Sequence, residues 1–79
     1  MIGQIVCSKA GRDKGYFMVV VKEQDGVYFV ADGKERPLER PKLKNPKHLC
    51  FTNTVLLEEN FKTNKALRKS LAIYRDSVN

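Results

Sequence analysis

The residues best suited to chemistry in this 79-residue sequence are positively charged, and they lie in two short segments. The first, residues 9–14, carries Lys9, Arg12 and Lys14 beside a single acid, Asp13. Lysine and arginine side chains neutralise the phosphates of a nucleic acid and release its bound counterions. A cationic tip of this kind therefore predicts contact with a polyanion.

The second basic segment spans residues 34–48. Its six basic residues outnumber two acids, which gives a net charge of +4 out of the +6 carried by the whole chain. If the two segments converge in the fold, they form one cationic surface. His48 has two open roles, stacking on a base or packing as a structural residue at the start of a strand. The candidate contact residues are Lys9, Gly11, Arg12, Lys14, Arg36, Arg40, Lys42, Lys44, Lys47 and His48.

Enzymatic chemistry finds little support in the sequence. Ser8 and His48 have no evident third partner, and an activated nucleophile needs a base held within hydrogen-bonding reach. The loop from Gly11 to Gly15 opens no predicted helix, so it is not a nucleotide-binding fingerprint. We predict neither catalysis nor a cofactor.

The two cysteines, Cys7 and Cys50, lie in apolar, strand-like surroundings. With His48 they are too few and too widely spaced for a zinc site, which uses about four ligands. The start of the chain lacks the basic segment and apolar run of a secretory signal, so we expect no disulfide. There is also no apolar run of about 20 residues that could cross a membrane. We expect a cytoplasmic protein that does not bind membranes.

The elements that must position these residues are mainly strands. Patterns of apolar and β-branched residues predict strands at 2–8, 16–22, 27–31 and 48–52, with turns at Asp25-Gly26 and Asp32-Gly33. Segment 34–48 holds all three prolines, which argues for an ordered loop pinned by Leu38 and Leu43. Residues 54–60 fit either a fifth strand or a helical turn.

A helix is predicted over residues 65–75, with Thr63 or Asn64 as its N-cap. Leu67, Leu71, Tyr74 and Val78 recur at helical spacing and form an apolar stripe. Such a stripe packs on the sheet or forms a dimer contact, and we favour the first and a monomer. Short strands joined by turn residues predict a small, strongly bent sheet that closes partly into a barrel.

Residues 5–21 resemble the KOW motif of ribosomal proteins and transcription elongation factors. The matching features are Ile5-Val6, Gly11, the turn Asp13-Lys14-Gly15 and the apolar strand that ends at Val21. With the blocks at residues 31–38 and 41–49, the chain resembles bacterial KOW-domain RNA-binding proteins, which are similar to a eukaryotic and archaeal large-subunit ribosomal protein family. The resemblance covers roughly residues 2–52.

This resemblance implies that the bent sheet is an SH3-like barrel of the KOW type. Together with the helix predicted above, the expected fold is mainly β in a single domain, 1–79, with the barrel over residues 2–57 and the C-terminal helix over 63–76. It implies RNA as the partner, most naturally ribosomal RNA, and the ribosome as a possible site of action in translation. The alternative is a protein-interaction module of the transcription or translation machinery. Such a module would use the barrel groove or the apolar helix stripe, as KOW domains in transcription factors can.

Overall fold

The computed structural model describes residues 1–78, which form an antiparallel sheet of five strands followed by an α-helix. The sheet order is β4-β3-β2-β1-β5. The prediction of a mainly β fold with a C-terminal helix is confirmed. The strands are β1 (Gln4–Ser8), β2 (Phe17–Gln24), β3 (Val27–Ala31), β4 (Lys42–Lys44) and β5 (Leu49–Val55), and the helix is α1 (Asn64–Val78).

The hairpin between β2 and β3 turns at the predicted dipeptide. Asp25 and Gly26 have φ angles of 52° and 80°, the left-handed conformation that a two-residue hairpin turn of this type requires. β3 has the predicted bounds, and β2 extends two residues beyond its predicted end at Lys22.

The helix packs on one face of the sheet through its predicted apolar stripe. Alternation along each strand sends Ile5, Val19 and Ala31 to that face, where they meet Leu67 and Leu71, and all five residues are buried. We call this the helix-side core. At its edge the rings of Phe17 and Tyr74 meet edge to face, with centroids 5.1 Å apart. Val78 is exposed and does not take part.

The opposite face of the sheet carries a second core. It consists of Val6, Met18, Val20, Val30 and Leu49, all buried, and Tyr28 packs against it. The rings of Tyr28 on β3 and Phe51 on β5 have centroids 5.2 Å apart, although β2 and β1 lie between these strands in the sheet. In a flat sheet, three strand spacings would separate them by about 14 Å. The sheet therefore curls over its second core and brings β3 and β5 close to each other.

The sequence predicts a loop over the proline-containing segment 34–48, but only part of this segment is a loop. Lys42–Lys44 pairs with β3 as the edge strand β4, and Pro46–His48 forms a 3-10 turn. Pro41 precedes the strand and Pro46 follows it, so neither interrupts the ladder. Leu38 packs against the helix-side core as expected, but Leu43 is 56% exposed.

The last part of the described chain contains the end of β5, a 3-10 turn and α1. β5 ends at Val55, and Glu58–Asn60 forms a 3-10 turn, so residues 54–60 contain both the end of a strand and a helical turn. The Oγ1 of Thr63 accepts a hydrogen bond of 3.1 Å from the N–H of Ala66, which makes Thr63 the N-cap of α1. The helix continues to Val78, beyond its predicted end at Arg75. No helix within residues 1–78 is long and apolar enough to span a membrane.

Candidate nucleic-acid interface

The register of β4 turns two candidate lysines towards the inside of the curled sheet. Lys42 lies opposite Val30 and Lys44 lies opposite Tyr28, and directly opposed residues share a face. Both β3 residues belong to the second core, so both lysines project over that core. Leu43 then points outward. The apolar side chain of Leu43 predicted the reverse, with Leu43 inward.

Asp13 is the acceptor that both lysines reach. Its Oδ1 lies 3.0 Å from the Nζ of Lys44, and its Oδ2 lies 3.2 Å from the Nζ of Lys42. The hydroxyl of Ser8 donates a third hydrogen bond, 2.7 Å long, to Oδ1. Asp13 is only 8% exposed, so this acid is a buried junction between the first loop and β4.

The ammonium group of Lys44 is fully engaged within the protein. Besides Asp13, it donates to the Oγ of Ser8 at 3.1 Å and to the carbonyl of Ala10 at 2.9 Å. An ammonium has three N–H donors, and here each has an acceptor. Lys44 is 6% exposed, so it holds the fold together and has no free donor for a phosphate.

The carboxyl of Asp13 is held ionised by its neighbours. Burial raises its pKa, but the hydrogen bonds from Ser8, Lys44 and Lys42 and the charge of Lys44 lower it further, and the net pKa is about 2. The acid therefore stays charged across the neutral range and neutralises one of the two lysine charges beside it.

The loop between β1 and β2 is a pair of tight turns. Gly11 and Gly15 have φ angles of 87° and 88°, and the N–H of Gly15 donates to the carbonyl of Ser8 at 2.8 Å. A β-carbon at Gly11 would lie 3.7 Å from the Nζ of Lys44 and 3.9 Å from that of Lys42. The two basic segments of the sequence therefore meet at this loop.

Several other candidate residues are exposed around this meeting point. Arg12 and Arg36 line one groove of about 310 Å³ together with Lys42, whose side chain is 28% exposed. The carbonyl of His48 accepts a 2.8 Å hydrogen bond from the N–H of Lys9, which places the Pro46–His48 turn beside the first loop. Within residues 1–78, no ion pair involves the exposed basic side chains of this group, which are Lys9, Arg12, Lys14, Arg36, Arg40 and Lys47.

Arg40 is the candidate that the structure places apart. It lies in the turn that begins at Pro37, whose carbonyl accepts its N–H at 2.9 Å, and it does not line the groove between Arg12 and Arg36. That turn is tied to the start of α1, because the Oδ1 of Asn64 accepts the N–H of Leu38 at 2.8 Å. We therefore define the basic face by the other exposed or half-buried candidates, which are Lys9, Arg12, Lys14, Arg36, Lys42, Lys47 and His48.

A second groove is lined by residues for which the sequence predicted no binding role. It has a volume of about 560 Å³ and its lining includes Tyr16, Lys34, Arg68 and Arg75. The two arginines are seven residues apart on α1, a spacing of two helical turns that puts them on one face. That spacing was readable in the sequence, but the position of the helix beside the first loop was not.

The two cysteines are neighbours in the sheet. Cys7 on β1 lies directly opposite Cys50 on β5, and both are free thiols. Burial, followed by the nearby Cys50 thiolate charge, raises the pKa of Cys7. The sequence did not reveal this pairing, because more than 40 residues separate the two positions. Among residues 1–78 there is no group of three or more side chains suited to hold a metal ion.

No protein-family model matches this chain, and no curated protein matches it. The function is therefore inferred from the geometry and charge described above.

Proposed function

We propose that this protein is a non-catalytic RNA-binding protein that contacts structured RNA, most naturally ribosomal RNA, through the basic face. The observation that carries the proposal is the meeting of the two basic segments over Gly11, where Lys42 and Lys44 reach Asp13. Folded RNA is bound largely through its backbone and shape, which suits a rigid surface of exposed lysines and arginines. Lys44 is buried beneath that surface, where it binds Asp13, and is not part of it.

The fold supports the same proposal. The sheet order and the contact between Tyr28 and Phe51 fit the SH3-like barrel that a KOW domain would form. We propose this barrel type, together with a monomer acting in the cytoplasm, as the context of RNA binding. The buried position of Ser8, which is 1% exposed, supports a non-catalytic role because no substrate reaches its hydroxyl.

A salt titration tests the proposal directly. Contact with about five phosphates predicts that log affinity falls against log salt with a slope of roughly −3.5, about a hundredfold loss between 50 and 200 mM. The measurement is fluorescence anisotropy with a labelled, folded fragment of ribosomal RNA. A flat salt response, or no binding at low salt, would contradict RNA binding through this face.

Matched charge variants show whether the basic face is the surface used. The double change Arg12→Gln and Lys14→Gln should weaken binding and reduce the steepness of the salt slope by roughly 1.4, with the melting temperature unchanged. Lys22→Gln is the control, since Lys22 lies near the far end of β2, about 17 Å along the strand from Phe17. If each charge removed in the double variant lowers the affinity by no more than Lys22→Gln does, the RNA binds at another surface.

The alternative is a protein-interaction module of the transcription or translation machinery. The apolar helix stripe is a poor candidate surface, because Leu67 and Leu71 are already buried against the sheet. What favours a protein partner is the edge strand β5 and its continuation, where Phe51, Val55 and Leu57 are 39%, 45% and 65% exposed. Polar substitution of Val55 and Leu57 would leave RNA affinity unchanged if the first proposal holds.

A further inference from the structure

Tyr16 is an exposed aromatic residue held at a fixed position beside the basic face. It is 55% exposed, and it belongs to neither core. Its N–H donates to the carbonyl of Asp13 at 2.9 Å, and its carbonyl accepts the N–H of Ser8 at 3.0 Å. The backbone that carries this ring is therefore anchored to the loop and to β1.

Tyr16 lines both grooves. The basic residues of one groove are Arg12, Arg36 and Lys42, and those of the other are Lys34, Arg68 and Arg75. The acids along these grooves are Asp13, Asp32 and Glu35.

Two of these three acids are engaged inside the protein. Asp13 accepts from Ser8, Lys42 and Lys44, and the Oδ1 of Asp32 accepts the backbone N–H groups of Lys34 and Arg36 at 2.8 and 2.9 Å. The backbone N–H groups that bind Asp32 do not cancel its charge. The groove that contains Arg12 and Arg36 therefore has three basic and three acidic side chains, and the groove that contains Arg68 and Arg75 has three basic and two acidic ones. An aromatic ring beside two grooves that both contain arginine and lysine side chains combines a surface for stacking with contacts for a backbone.

We propose that Tyr16 stacks against an unpaired base of the RNA, while the phosphates on the two sides of that base enter the two grooves. This inference rests on the proposed function and extends it, because it specifies a bulged or single-stranded nucleotide at this point. Bases inside an A-form duplex have no free face, so only an unpaired base can meet the ring. Base–aromatic stacking contributes about 1–3 kcal/mol per base and tolerates any sequence.

Two RNA hairpins that differ only by a bulge of unpaired nucleotides provide the test. Wild-type protein should bind the bulged hairpin more tightly than the fully paired one. Tyr16→Ala should lower affinity for the bulged hairpin by roughly tenfold and leave the paired hairpin nearly unchanged. Tyr16→Phe keeps the ring and should retain the preference, and thermal melting confirms that both variants are folded.

A second set of variants tests the groove that is lined by residues of α1. Arg68→Gln with Arg75→Gln should reduce affinity for the bulged hairpin and flatten its salt slope, whereas Lys69→Gln, on another face of α1, should have a smaller effect. If Tyr16→Ala binds both hairpins as wild type does, the stacking site is wrong while RNA binding by the basic face stands. If wild-type protein binds neither hairpin at low salt, both proposals fail.

The paired cysteines carry a second, independent inference. The N–H of Lys9 donates to the carbonyl of His48, and the backbone groups of every second residue along a strand point to the same neighbour. Cys7, two residues before Lys9, therefore occupies a hydrogen-bonded position opposite Cys50. The Cα atoms of such a pair lie about 5.5 Å apart, within the range that a disulfide spans. Their Cβ atoms are also about 5.5 Å apart, wider than the roughly 4 Å of an unstrained disulfide, so a bond between them is strained and readily reduced. Cys50 is exposed and Cys7 is half-buried, so a small oxidant can reach the pair.

We infer that Cys7 and Cys50 form a reversible disulfide when the protein meets a low-molecular-weight disulfide. The exposed Cys50 thiolate attacks one sulfur of that oxidant, and one small thiolate leaves. The thiolate of Cys7 then attacks the Cys50 sulfur of the mixed disulfide and displaces the second small thiolate. Two cysteines lose two electrons, the oxidant gains them, and the two protons are taken up by the released thiolates.

Treatment of the folded protein with oxidised glutathione tests this inference. The expected product is a monomer whose mass is lower by two hydrogen atoms and from which a reductant regenerates the two thiols. Cys7→Ser should instead retain a glutathione adduct on Cys50, because the second step has no thiol. Wild-type protein that keeps glutathione adducts, or that forms disulfide-linked dimers, would overturn the inference.

Discussion

The Nζ of Lys44 lies 3.0 Å from the Oδ1 of Asp13, and this contact joins the edge strand β4 to the loop that follows β1. β3 and β2 lie between β4 and β1 in the sheet, so the contact spans the open side of the curled sheet. A charged pair that is nearly buried at both ends stabilises only if its donors and acceptors are all satisfied. Here they are, because Ser8 and Ala10 complete the set.

Asp13→Asn should destabilise the protein by about 3 kcal/mol, because it leaves the buried ammonium of Lys44 without its counter-charge. The measurement is urea unfolding at pH 7. Asp25→Asn is the matched control: it makes the same change in an exposed turn, where asparagine tolerates the positive φ, and should change stability by less than about 0.5 kcal/mol. A similar small loss for both variants would show that the buried pair contributes little.

The pH dependence of stability should carry the signature of the same carboxyl. Its pKa falls from 3.8 in the unfolded chain to about 2 in the fold. A lowered pKa means that its contribution is complete above about pH 4 and is lost as the pH falls towards 2; it amounts to about 2 kcal/mol. The stability difference between wild type and Asp13→Asn should therefore shrink between pH 6 and pH 2, and a constant difference would contradict this origin.

Gly33→Ala should loosen the attachment of α1. Gly33 has a φ of 82°, and a β-carbon there would lie 2.6 Å from the backbone carbonyl oxygen of Asn64 at the start of the helix. We expect a loss of about 3 kcal/mol from strain and displacement together. Gly26→Ala isolates the strain, because its φ is 80° but nothing lies within 4 Å, and should cost only about 1 kcal/mol. Chemical denaturation gives the free energy of unfolding of both variants. Equal losses would mean that the structure relieves the overlap with Asn64 at no cost in free energy.

Leu67→Ala should cost about 2–5 kcal/mol, because Leu67 is fully buried between α1 and the sheet and its removal leaves a cavity. Ile73→Ala removes a similar side chain from the exposed side of the same helix, where Ile73 is 60% exposed, and should cost less than about 0.5 kcal/mol. Thermal and urea unfolding distinguish the two. Comparable losses would indicate that the exposed side of α1 is also covered.

The strands and the helix could be predicted because their apolar residues alternate or recur with the period of the element. Val19 and Val20, for example, fall on opposite faces and enter opposite cores. The short strand β4 could not, because its pattern is lysine, leucine, lysine, and a local pattern places leucine inside. What reverses it is Asp13, about 30 residues earlier, which accepts both lysines. Local hydrophobicity contains no information about such a distant partner.

The candidate site, like the fold, was predicted from the sequence only in part. The meeting of the two basic segments follows from charge placement and a small β scaffold, and the structure shows that contact. The inward role of Lys44, the exposure of Tyr16 and the pairing of Cys7 with Cys50 each depend on register or loop conformation. A register shift of one residue would send Lys44 or the two cysteines to the other face, and the position of Tyr16 depends on the loop turns, so composition and spacing could not decide them.

The network of Asp13, Lys42 and Lys44 also determines when the first loop acquires its shape. Because these bonds form within the protein itself, the tip from Gly11 to Gly15 is preorganised before any ligand arrives. The entropy of ordering that backbone is then lost on folding, and association with a ligand does not incur it again. The carboxylate of Asp13 holds Lys42 and Lys44 in this arrangement from within the protein.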